Sequence, residues 1–237
     1  MKLFQSKVQI GDKQYTVPER ITVSQFEQVQ SFGFDDAKSR IMCSAAIIGC
    51  SPKEIMQLDQ DGQEMVYAMA MLSMTTLEKP VAKACPFDFD NMSFGQFIDL
   101  DVLTFEGIDT HLADIISILW DEDVDKVANS PLDLYLSGLT LWTNKRAAIY
   151  AAYATFFGLH DNTEQLAEDM GLDIEGADIR RIWYQAVITL AGEDFLKINQ
   201  VVDRPVGEAL NFLAYMKEQA QKRAQEERRR AAKMKIK

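Results

Sequence analysis

Asp121-Glu122-Asp123-Val124-Asp125 sets carboxylates at alternate positions, as in the opening of an EF-hand calcium loop. The sixth position of such a loop would be Lys126, where a glycine is needed for the turn. The twelfth would be Leu132, where a bidentate glutamate should close the coordination. The run therefore predicts no calcium site. Asp88 with Asp90, and Asp99 with Asp101, are weaker pairs, expected to cap helices or to face water. His111 stands among Asp109 and Asp114 and reads as a solvated or locally hydrogen-bonded imidazole rather than a ligand. His160 follows Phe157-Gly158-Leu159 and reads as a cation at a helix end. Cys43 and Cys50 are seven apart, the spacing of one buried helical face. Three cysteines with no CxxC predict neither a disulfide framework nor a zinc site. Met65, Met69, Met71 and Met74 could line an adaptable peptide groove, but such a stripe is more simply core.

The sequence contains no GxGxxG, GxxxxGK[ST], GxSxG or HExxH. Without such a motif, an activated nucleophile or a tuned acid and base cannot be located from spacing alone. The expectation is a chain with no catalytic, cofactor-binding or metal residues and no cofactor, that is, not an enzyme.

The strongest anomaly is one of charge. Residues 217–237 hold nine basic and three acidic side chains, a net of +6, while the whole chain carries −11, leaving −17 on residues 1–216. Glu218 with Lys222, and Glu226 with Arg230, have the favourable i,i+4 order, so this end can be helical. Between Met216 and Met234 only alanines are apolar, which is too little for a core-facing stripe. The segment is expected to project, as a solvated charged extension that keeps the protein soluble or else as a contact for an acidic partner surface or nucleic-acid phosphate, with Lys222, Arg223, Arg228, Arg229, Arg230 and Lys233 as candidate partner-binding residues.

The elements that must carry these residues are mostly helical. Leu3, Val8 and Ile10 alternate before Gly11-Asp12, and Tyr15 and Val17 follow, predicting a β-hairpin over residues 2–17. Thr22 with Gln25, Ser51 with Glu54, Asp61 with Glu64 and Ser93 with Gln96 have capping-box spacing and predict four helix starts. A helix from Asp36 should stop at Gly49. Ser130-Pro131 opens the longest uninterrupted pattern, to Gly158, predicting a spine helix of about 40 Å. Further helices are expected over Glu164–Met170, from about Asp178 through Leu190, over Glu193–Val202 and from Pro205. At an offset of 71, Thr22–Glu27 aligns with Ser93–Ile98, Ile47-Ile48 with Ile118-Leu119, and Glu54 with Asp125, so two helical halves of similar plan are a possible reading.

The fold expected is mainly α: a multi-helix bundle with a small N-terminal β-hairpin and a projecting basic C-terminal helix. Along the chain it divides into 1–74, hairpin plus helical half; 75–92, a connection; 93–204, a central helical body; and 205–237, the last helix and tail. The chain has 237 residues, 47% of them apolar, and no apolar run long enough to span a bilayer, consistent with a soluble protein made in a cytoplasm.

Ile21-Thr22-Val23-Ser24-Gln25-Phe26, then Ile47-Ile48-Gly49-Cys50-Ser51-Pro52-Lys53-Glu54-Ile55 and Leu58, resembles small tail-assembly proteins of tailed bacteriophages. Ser93–Leu103 and Trp183–Leu190, followed by a charged last helix, are similar in style to phage structural and chaperone proteins. The resemblance covers scattered segments. It implies a non-enzymatic protein of virion assembly, either a tail assembly chaperone or a small virion part, found in the host cytoplasm during assembly or, as a virion part, in the particle. The partners it implies are other phage structural or assembly proteins, with self-association expected as well; the basic tail offers DNA contact as a lesser option, and the lack of a long apolar run predicts no membrane partner. The alternative is a nucleic-acid-associated regulator or an enzyme whose site has no local motif.

Overall fold

The computed structural model describes residues 6–78, 83–157 and 179–234. The architecture is mainly α with one small hairpin. Strands β1 (Lys7–Ile10) and β2 (Lys13–Thr16) pair antiparallel, with Val8 opposite Tyr15 and Ile10 opposite Lys13. They turn at Gly11-Asp12, where Gly11 takes φ 60°. Alternation buries Val8 and Ile10 on one face, as the sequence pattern requires.

The helices follow as α1 (Val23–Phe32), α2 (Ala37–Ile48), α3 (Pro52–Met56), α4 (Gln60–Leu72), α5 (Phe94–Gly107), α6 (Leu112–Trp120), α7 (Val124–Ala128), α8 (Leu136–Ala152), α9 (Ala154–Phe157), α10 (Ile179–Ala191), α11 (Ile198–Val202) and α12 (Val206–Met234). Three of the four expected caps form reciprocally, at Thr22/Gln25, Ser51/Glu54 and Ser93/Gln96. The fourth differs: Asp59, not Asp61, caps α4 by accepting from the Gly62 N–H at 2.9 Å, and Asp61 lies in the first turn. The single long spine helix is also corrected. The segment after Pro131 begins as a 3-10 turn at Leu132–Leu134. The helix then runs 17 residues, about 25 Å, to Ala152, and turns at Tyr153 before α9. The helix expected over Glu193–Val202 is preceded by a 3-10 turn at Phe195–Lys197, because Asp194 caps there with its side chain on the Leu196 N–H. The expected Glu164–Met170 helix and His160 lie outside the described residues.

The chain packs as two units that interleave in sequence: Met1–Phe87 with Leu103–Trp142, and Asp88–Val102 with Thr143–Lys237. The segments expected from sequence, 1–74, 75–92, 93–204 and 205–237, are contiguous, whereas these units are defined by packing. In the first unit Val8, Ile10, Ile21, Val29, Ile47 and Ile55 form one buried cluster. Tyr15 donates its hydroxyl to Glu54 at 2.8 Å and Lys13 pairs with the same carboxylate at 2.7 Å, which holds the hairpin against α3. In the second unit Phe94, Phe97 and Leu100 are fully buried, and the Trp183 ring meets Phe94 and Phe97 edge-on at 5.7 and 5.5 Å.

Each unit is closed by the same device. In the first, Thr22 bridges Pro131, with the Val23 N–H donating to the Ser130 carbonyl and the Leu132 N–H to the Ile21 carbonyl, both at 3.0 Å. In the second, Ser93 bridges Pro205, with Phe94 N–H to Arg204 carbonyl at 2.7 Å and Val206 N–H to Met92 carbonyl at 3.1 Å. Both bridges join a capped helix start to the residue that opens a later helix. Proline suits that place, since its missing N–H has no helical partner to lose.

The order of elements recurs as well. A helix, a left-handed residue, a five-residue helix and a longer helix appear as α2, Gly49, α3, α4; as α6, Asp121, α7, α8; and as α10, Gly192, α11, α12. The left-handed residues that directly follow the first helix of each set, Gly49, Asp121 and Gly192, have φ of 76°, 51° and 65° and fall at steps of 72 and 71 residues along the chain. The plan is thus tandem and threefold among the described residues, where the sequence offset of 71 pointed only to two halves.

Candidate functional site

The basic candidates Lys222, Arg223, Arg228, Arg229, Arg230 and Lys233 all fall on α12, which runs 29 residues from Val206 to Met234. Its first three turns are anchored. Val206, Ala209, Leu210 and Leu213 are buried, and the Tyr153 hydroxyl lies 3.2 Å from the Gly207 carbonyl and 3.1 Å from Asn211 Oδ1. Lys217 reaches back to the end of α9, donating to the Phe156 carbonyl at 3.0 Å and lying 6.0 Å over the Phe156 ring. A cation there satisfies carbonyls that a helix C-terminus leaves open. Beyond that point the apolar stripe is reduced to alanines, and every side chain from Ala220 to Arg230 is exposed. Glu218 pairs with Lys222 at 2.6 Å and raises the lysine's pKa, mainly through that hydrogen bond.

At the root of this helix the surface is apolar. Phe212 and Tyr215 are more than half exposed with ring centroids 6.4 Å apart, and Phe195 and Leu196 are about four-fifths exposed. Phe212, Leu190 and Val201 line an open groove of about 380 Å³ whose rim carries Lys197, Arg204 and Glu208. Arg204 lies 3.9 Å from Glu208, and Lys197 pairs with Asp194 at 3.1 Å. The groove is thus apolar with a rim of paired charge, while the unbalanced positive charge lies further along α12.

The remaining candidates are scattered and have structural roles. In Asp121–Asp125, Asp121 is the left-handed stop of α6, Asp123 caps α7 through the Lys126 N–H, and Glu122 holds Lys83 at 2.6 Å and Lys126 at 3.3 Å. The Lys83 hydrogen bond is the chief reason the Glu122 carboxyl is lowered. Among the described residues no three metal-ligating side chains cluster. His111 Nδ1 lies 3.5 Å from Asp114 and Nε2 3.9 Å from Glu106, a local pairing. Beside it, Glu27 accepts from the Ala113 N–H at 2.9 Å, so a side chain of α1 caps α6, and burial raises its carboxyl pKa. Cys43 is buried and Cys50 half-buried, and burial pushes both thiols up, away from thiolate reactivity. Met69, Met71 and Met74 pack on the first unit's core, whereas Met65 is exposed, so the four do not share one groove.

Two buried carboxylates correct the reading of the acidic residues. Asp101, expected to cap a helix or face water, is fully buried. It accepts from Arg146 Nε at 2.7 Å, Trp183 Nε1 at 2.8 Å and the Tyr150 hydroxyl at 3.0 Å. Burial, more than the Asp101 charge, pushes the Tyr150 hydroxyl far above its ordinary pKa. Asp133 is 3% exposed and takes Arg20 in a bidentate pair, Nε to Oδ1 at 2.8 Å and Nη2 to Oδ2 at 2.6 Å, beside the Thr22–Pro131 bridge. Asp101 is engaged by a guanidinium, an indole and a hydroxyl, and Asp133 by both edges of one guanidinium fork. Such a group fixes neighbours in place and has little capacity left for a substrate.

Compared with models of known protein families, with curated proteins and with solved structures, the chain matches none.

Proposed function

We propose that this chain is a non-enzymatic protein that works through protein–protein contacts, with the basic part of α12 as its docking element. The setting we propose is assembly of a tailed-bacteriophage particle, as a tail assembly chaperone or a small component of the particle. The observation that supports a contact role is the exposure of every side chain from Ala220 to Arg230 on a helix whose first turns are firmly packed. A rigid root with an unburied cationic extension suits a grip on an acidic surface, where opposite potentials speed encounter and set orientation. The phage setting rests on the resemblance in Ile21–Leu58, Ser93–Leu103 and Trp183–Leu190. Its partners would be other phage structural or assembly proteins or further copies of this chain. The host cytoplasm would be the place of assembly. No helix among the described residues is long and apolar enough to cross a membrane.

A second reading, nucleic-acid contact, draws on Phe212 and Tyr215, since bases stack on exposed aromatic rings near cations. Capture experiments with purified phage tail and capsid proteins separate the two. The intact chain should retain an acidic phage protein, and the form lacking Gln219–Lys237 should release it. Retention by both forms alike would overturn the docking role of α12. DNA binding whose log–log salt slope approaches about −0.9 per phosphate contact would favour the second reading.

A further inference from the structure

We infer that the outward face of α12 docks on the acidic body of a second copy of this chain, which rests on the protein-contact reading above and names its partner. Phe212, Tyr215, Gln219, Lys222, Glu226 and Arg229 follow one another at alternating steps of three and four, and so share one seam of the helix. The side that packs is that of Val206, Ala209, Leu210 and Leu213. The outward seam begins with two exposed aromatics and ends in cations, flanked by exposed Arg223, Arg228 and Arg230. At its root lies the groove lined by Phe212, with Phe195 and Leu196 exposed just before the rim residue Lys197. An occupant must therefore offer apolar contact at one end and negative charge along the rest.

A second copy meets the charge requirement, because residues 1–216 carry −17 against the +6 of residues 217–237. Glu218, Glu226 and Glu227 are interspersed among the basic residues, which fits a protein surface of mixed charge better than a continuous phosphate backbone. Each copy presents one basic seam and one acidic body. The contact pairs unlike surfaces, so two copies can make it reciprocally or pass it on to a further copy.

Sedimentation velocity of the full chain against salt tests this, together with the variant Arg223→Glu/Arg228→Glu/Arg229→Glu/Arg230→Glu, whose changes are all exposed. The intact chain should sediment at low salt with at least twice the single-chain mass and return to one chain as added salt shortens screening to about 8 Å and below. The variant should stay single throughout. In an equal mixture of isotope-light and isotope-heavy copies, zero-length carbodiimide cross-linking should join Lys222 of one label to carboxylates within residues 1–216 of the other. A single-chain mass for the intact protein, association that survives charge reversal, or cross-links confined to one label would each overturn the inference. If the chain is single but tail truncation still abolishes capture of an acidic phage protein, the second copy falls and the protein-contact reading stands. If neither capture nor self-association depends on the tail, both fall.

Discussion

Glu54 and Asp101 show how one residue type takes different roles by location. Glu54 stands on the hairpin side of α3, where hydrogen bonds from Lys13, then Tyr15 and the Ser51 N–H, hold its carboxyl down at about 2. The folded value lies below the ordinary 4.5, so the stabilisation is complete above that pH and is lost as pH falls from about 4.5 toward 2. Acid titration of stability should show this loss, and Glu54→Gln should flatten the curve in that window. Asp101 is buried, so its removal bears on stability. Asp101→Asn would leave the Arg146 guanidinium without its counter-charge and should cost about 3 kcal/mol in urea unfolding. A variant as stable as the parent would show that the cluster is held by other contacts. Asp101 and Asp133 were hidden in the sequence because an aspartate reads as a surface or capping residue unless its partner can be seen. Their guanidinium partners lie 45 and 113 positions away, and nothing local marks the pairing.

At the scale of elements, periodicity and capping were legible, and uninterrupted length was not. Thr22/Gln25 and Ser93/Gln96 could be seen because a reciprocal cap is completed within four residues. The break at Tyr153 could not, since no proline or glycine marks it. Trp142 is fully buried with its indole N–H 2.8 Å from Thr104 Oγ1, whereas Phe156 is only half-buried. Trp142→Ala should therefore cost about 3 to 5 kcal/mol, and Phe156→Ala distinctly less, measured as shifts in denaturant midpoint. Equal costs would mean that the segment to Phe157 acts as one spine after all. Gly138 offers a sharper check. A methyl there would overlap the Trp120 ring and the Cys85 sulfur, so Gly138→Ala should destabilise by about 1 to 3 kcal/mol although it raises helix propensity.

For the whole molecule, the charge division matters more than any single pair. Every side chain from Ala220 to Arg230 is exposed, so deleting Gln219–Lys237 should leave the unfolding midpoint nearly unchanged while the net charge becomes more negative. Thermal unfolding monitored by circular dichroism checks this. A truncated chain that melts much earlier would make the extension part of the core. Each unit is closed by a two-hydrogen-bond bridge between a helix start and a distant proline, and the same order of elements recurs at steps of 72 and 71 residues. A tandem plan of this kind lets one local solution, a helix stopped by a left-handed residue and restarted after a short turn, be used repeatedly.

By itself the sequence determined what depends on near neighbours. The Gly11-Asp12 turn, the reciprocal caps, the left-handed stop at Gly49 and the exposed basic helix are all set by interactions that span a few residues. Tertiary structure alone decided what depends on distant partners. It buried Asp101 among Arg146, Tyr150 and Trp183, joined Thr22 to Pro131 and Ser93 to Pro205, and put the exposed Phe212 on a groove with Lys197. Helix propensity and capping act within one or two turns, whereas burial and charge pairing depend on which segments the folded chain brings into contact.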